Sequence, residues 1–102
     1  MVACRAWPYE GSATVGTMFI RSRVDDFATW KAVYDEMAAP RKEFGLSEVG
    51  IYRDLDEATR LTVLLDFDDA EDAKAYAESD QLREAMRRAG VQGPPEIWYA
   101  SR

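Results

Sequence analysis

The stretch "TMFIRSRV", Thr17 to Val24, alternates with the period of a β-strand. Side chains two positions apart on a strand share a face. One face therefore presents Phe19, Arg21 and Arg23, and the other presents Met18, Ile20, Ser22 and Val24. The second set is a core face with one hydroxyl in it. The first set is either a charged interface or an anion site. What the rest of the chain builds around the strand decides between them.

Downstream, Asp25 and Asp26 offer N-cap oxygens, and "DFATWKAVYDEMAAPRKEFG" follows with a helical period. Phe27, Trp30, Tyr34, Met37, Arg41 and Phe44 form its stripe. Pro40 predicts a kink or a split, and Gly45 a C-terminal stop. Leu46 to Asp54 and Thr59 to Asp68 read as a hairpin. A helical segment follows from Asp69, recapped at Ser79 and stopped at Gly90. "VQGPP" reads as a loop, and Glu96 to Ser101 as a last short strand.

The order β-α-β-β-α-β predicts a ferredoxin-like α+β domain over residues 16–102. Its four-stranded, antiparallel-mixed sheet has the order 4-1-3-2, with strands one and three central and parallel. Both helical segments cover one face. Residues 1–15 read as a flexible N-terminal tail.

On the covered face the pattern places Leu61, Val63, Leu65 and Phe67, then Val49, Ile51 and Arg53, and finally Ile97 and Tyr99. The open face collects Phe19, Arg21, Arg23, Thr62, Leu64, Asp66, Glu96, Trp98, Glu48 and Tyr52. Bare rings there form a patch worth covering. A second copy of the chain would cover them and let the arginines meet Asp66, Glu96 or Glu48. Phe19, Arg21, Arg23, Leu64, Asp66, Glu96 and Trp98 are thus the expected homodimer interface, with anion binding by the arginines as the lesser reading.

Bulk properties narrow the function. The chain has 102 residues and a net charge of −6. An acidic domain is a poor partner for nucleic acid or anionic membranes. No apolar run approaches the roughly 18 residues of a membrane span, and the N-terminal stretch lacks the apolar block of a signal peptide. Cys4 is the lone cysteine, so no internal disulfide framework exists and a cytoplasmic location is expected. The chain has no histidine. That excludes Ser-His-Asp and Cys-His nucleophile pairs and histidine metal sites. The acids Asp66, Asp68, Asp69, Glu71 and Asp72 read as charges at a helix start rather than a metal site.

The covered face also holds the candidates for chemistry. Ser22, Trp30, Met37, Arg41, Tyr76 and Met86 are the expected ligand contacts. Tyr34, Arg53 and Tyr99 are the expected catalytic groups. Aromatic walls with a few hydroxyls suit a planar, hydroxylated ligand such as an aromatic polyketide or a quinol. An arginine would hold its phenolate and a tyrosine would relay the proton. The plainer reading of the same residues is core packing.

"FIRSRVDDFATWKAVYDE", "RDLDEATRLTVLLDFDDAEDAKAYAES" and "LREAMRRAGVQGPPEIWYA" together resemble the dimeric α+β barrel superfamily. More narrowly, the chain resembles the small proteins grouped with the antibiotic biosynthesis monooxygenases. The resemblance implies a homodimer with facing sheets and a pocket between sheet and helices. It also implies monooxygenase-like or cyclase-like chemistry with no metal or flavin cofactor. Relatives carry histidine where this chain has Ser22, and the haem-degrading branch uses a histidine ligand, so that branch is set aside. The alternative is a non-catalytic ligand-binding or accessory dimer.

Overall fold

The computed structural model describes residues 15–101. Apart from Val15, the expected tail lies outside them. The elements run β1 (Gly16–Val24), α1 (Phe27–Glu36), α2 (Ala38–Glu43), β2 (Leu46–Arg53), β3 (Arg60–Phe67), α3 (Ala70–Ala77), α4 (Asp80–Arg88) and β4 (Val91–Ser101). The sheet order is β2-β3-β1-β4, which is the expected 4-1-3-2 order read from the other edge.

All three ladders are antiparallel, including the central β1–β3 pair. The expected parallel pairing of β1 and β3 is therefore wrong. The crossover through α1 and α2 makes β1 and β2 run the same way. β3 hairpins back from β2 into the gap between them, and so opposes both.

β3 alternates strictly, and its Leu61, Val63, Leu65 and Phe67 are all buried under the helices. From β1, Met18, Ile20 and Val24 join them. Side-chain oxygens start three of the helices: Asp26 accepts from Thr29 N at 2.8 Å, Asp69 from Glu71 N at 2.9 Å, and Ser79 from Leu82 N at 3.1 Å. The predicted split comes at Met37, whose N–H donates to the Tyr34 carbonyl. Pro40 then sits in the first turn of α2, where its missing N–H costs nothing. Gly45 takes φ 78° and closes α2.

Two register shifts change the faces. One falls between Glu48 and Gly50 of β2. Glu48 pairs with Leu65, on the helix side, and Val49 is the displaced, exposed residue. Glu48 was expected on the open face and Val49 in the core, so both assignments are corrected. The other shift lies where β4 pairs with β1, between Arg21 and Arg23. β4 begins at Val91, not Glu96, because an edge strand tolerates prolines at a bulge.

Leu65, fully buried at the centre of the sheet, anchors this packing. Leu65→Ala is expected to lower unfolding free energy by about 2–5 kcal/mol, measured by urea denaturation.

Candidate functional site

A cavity of about 50 Å³ lies between the sheet and the helices. Ile20, Ser22, Leu61 and Val63 floor it. Trp30, Tyr34 and Met37 close it from α1, and Arg41 enters from α2. Tyr76 of α3 and Met86 of α4 complete the wall. Seven of the expected site residues thus surround one space. Val33, Leu82, Ala85 and Val91 also line it. Leu82 and Ala85 share the Met86 side of α4, whereas Val91 was hidden by reading its segment as a loop.

Arg53 and Tyr99 do not reach the cavity. Arg53 ends the edge strand β2, and its guanidinium lies over the Phe27 ring, 4.2 Å from the centroid. Tyr99 pairs with Met18 toward the Gly16 end of the sheet and packs edge-on against Phe67. Both stand on the covered side, but on the edge strands β2 and β4, beside the cavity rather than beneath it.

Arg41 dominates the cavity's electrostatics. It is only 7% exposed. Its Nη1 donates to the Tyr34 carbonyl at 2.8 Å, and its guanidinium carbon stands 3.7 Å from the Tyr34 ring centroid. It also lies near enough to Tyr76 for its charge to oppose the upward shift of that phenol. Among the described residues no carboxylate pairs with it. A buried charge is costly to desolvate. The Tyr34 face offsets part of that cost, by about 1–2 kcal/mol for a desolvated cation–π contact.

Trp30 stacks on Tyr34, with centroids 4.9 Å apart. The Tyr34 hydroxyl donates to Glu48 Oε1 at 2.8 Å. Burial pushes the Tyr34 pKa up well above the ordinary phenol value, the bond to Glu48 adds to the shift, and Arg41 opposes it. Burial likewise raises Tyr76, again against Arg41. At neutral pH both phenols are donors and neither is a free base.

On the open face both arginines already have partners within the chain. Arg21 donates to Asp54 at 2.8 Å and to Thr62 at 2.9 Å. Arg23 grips Glu57 with two bonds of 2.8 and 2.9 Å. The counter-charges come from the β2–β3 turn of the same chain, which folds over the end of β1. Asp66, Glu96 and Glu48 are not those partners; Asp66 accepts from Thr17 Oγ1 at 2.7 Å. Phe19 and Trp98 stack in parallel at 5.2 Å on this face, and Trp98 remains 44% exposed. A second, open cleft of about 230 Å³ lies beside the bulge, bordered by Arg21, Arg23, Arg60 and Glu96. Ser22 borders both spaces. Among the described residues no cluster of acids or cysteines suits a metal ion, and no helix is long and apolar enough to cross a membrane.

No family model and no curated protein matches the sequence. Solved structures do match its fold. A protein from Bordetella bronchiseptica, provisionally named an antibiotic biosynthesis monooxygenase, superposes with a TM-score of 0.73 at 14% identity. That match covers 87% of this chain and 97% of the other. The fold is that of the antibiotic biosynthesis monooxygenase-like proteins. A protein from Caulobacter crescentus with the same provisional name gives a TM-score of 0.65 at 17% identity, covering 88% of this chain and 91% of its own. A conserved protein from Methanosarcina mazei gives 0.67 at 15% identity, covering 85% and 91%. At such identities the likeness is one of fold.

The raised phenol pKa values make stability depend on alkaline pH. Above about pH 10 the unfolded chain releases tyrosine protons that the folded chain keeps. Stability is therefore full below that pH and falls as pH rises above it. Tyr34→Phe is expected to flatten part of the fall in urea midpoints measured from about pH 8 to 11.

Proposed function

We propose that the protein is a homodimer that converts a small aromatic hydroxy compound in the cavity of each subunit, in the manner of a monooxygenase or cyclase that needs no metal or flavin. The observation that carries this reading is Arg41, a buried guanidinium with no carboxylate partner among the described residues, on an aromatic-walled cavity. Such a group stabilises a developing oxyanion far better than it would in water.

In this reading the substrate hydroxyl gives its proton to Tyr34 as Tyr34 passes its own to Glu48. No free tyrosinate forms, which suits the raised Tyr34 pKa. The electron pair stays on the substrate oxygen, opposite Arg41, and the ring becomes electron-rich enough for oxidation or ring closure. Arg53 and Tyr99, being outside the cavity, have no part in these steps.

The sheet faces are the proposed dimer contact. Phe19, Leu64 and Trp98 supply its apolar centre, with Tyr52 at 56% exposure beside them. Arg21 and Arg23 act there through the turn they hold. The lone Cys4 fits the cytoplasm as the site of action.

The second reading is a ligand-binding or accessory dimer without turnover. The cavity volume favours it: about 50 Å³ against about 150 Å³ for an engineered cavity that binds benzene.

Oxygen consumption and product analysis with hydroxylated aromatic substrates separate the two. Turnover that drops roughly 10²-fold or more in Tyr34→Phe supports catalysis; binding without turnover supports the accessory reading. Light scattering is expected to show a dimer that Trp98→Asp converts to monomer. A strict monomer at micromolar concentration would remove the interface.

A further inference from the structure

We propose that the ligand of the cavity is a single-ring aromatic carboxylate, and that Arg41 binds its carboxylate. This deepens the small-molecule reading above and rests on it only for the cavity being a ligand site.

The chain contains 19 acidic residues. Arg21, Arg23, Arg83, Arg87 and Arg88 each meet one of them, Arg21 at a half-buried position and the others at positions open to water. Arg41, the buried arginine, meets none among the described residues. The surface pairs contribute little, whereas a counter-ion at Arg41 would remove a desolvation cost. The group that would gain most from an anion is thus the one to which the described residues supply none.

The donor set fits two oxygens. A guanidinium has five N–H groups in a planar fork. One goes to the Tyr34 carbonyl, and the Tyr76 side chain lies nearby. The remaining donors match a carboxylate, which Arg holds bidentately. Among the described residues one cation faces the cavity, so a monoanion balances it and a phosphate dianion does not. A carboxylic acid is also already ionised at neutral pH, whereas a phenol must first lose its proton.

The walls fit one ring. Trp30 and Tyr34 offer a stacked aromatic surface. The cavity as it stands is smaller than a benzene site. Met37 and Met86 line it, and unbranched thioethers adapt to widen such a space by rotamer change. A multi-ring ligand would require the helices to separate from the sheet.

The test is calorimetric binding of benzoate and of benzamide, its neutral isostere, to the full chain at neutral pH. Benzoate is expected to bind roughly tenfold or more tightly, the range of a charge-assisted bond. Arg41→Met is expected to abolish the preference, and Arg60→Ala, at the open cleft, to retain it. Equal binding of the two probes, or a preference lost in Arg60→Ala and kept in Arg41→Met, would overturn the proposal. If Arg41→Met does not fold, methyl NMR of the unaltered protein decides. Benzoate-induced shifts at Met37 and Met86 place the ligand in the cavity, and shifts confined to other methyls overturn it. The proposal and the enzyme reading fail separately. Oxidation of a neutral phenol with no preference for benzoate overturns the former alone. Benzoate bound at Arg41 with no substrate ever turned over overturns the latter alone.

Discussion

A guanidinium held out of water is the constraint around which this molecule is arranged. Arg41 is charged at any accessible pH, so burial cannot neutralise it. The chain answers with a carbonyl at the end of α1, an aromatic face and a phenol. Each of these depends on the break at Met37. On an unbroken helix Tyr34 and Arg41 would lie two turns apart on one stripe. The break, with Pro40 in the new first turn, lets the side chain fold back to the Tyr34 carbonyl.

The sheet determines what faces that cation. Strict alternation in β3 supplies an apolar floor, and β1 adds one hydroxyl, Ser22. The two bulges then act as local corrections to the pleat. In β2 the bulge turns Glu48 to the helix side, where it stays exposed and within reach of Tyr34. In β4 it leaves Ser22 without a partner on that side, where the closed cavity and the open cleft come nearest one another. The rigid sheet thus carries the floor of the cavity, and the helices carry Tyr34 and Arg41 above it.

Element order, the open face and the helix break were legible in the sequence, because hydrophobic period, caps and Pro40 are local signals. Seven cavity residues were legible for the same reason: alternation and helical spacing select a face. What alternation does not give is how far across the sheet the cavity extends, and so Arg53 and Tyr99, on the edge strands, were misplaced. Nor does it show a bulge, which reverses parity without any change in composition; Glu48 and Val49 were lost that way. The partners of Arg21 and Arg23 were missed because Asp54 and Glu57 lie in a turn, where no period exists to aim them. The direction of the β1–β3 pair was a topological slip, since a hairpin strand inserted into a crossover must oppose both neighbours.

The likeness to monooxygenase-named structures concerns the frame, and many chemistries share a frame. The proposed chemistry belongs to Arg41 and its surroundings. The most direct measurement is the nitrogen and proton NMR shift of each arginine side chain during titration with benzoate. The account predicts a saturable shift at Arg41 with little change at Arg21, Arg23 and Arg60. Shifts confined to the open-face arginines, with Arg41 unmoved, would contradict it.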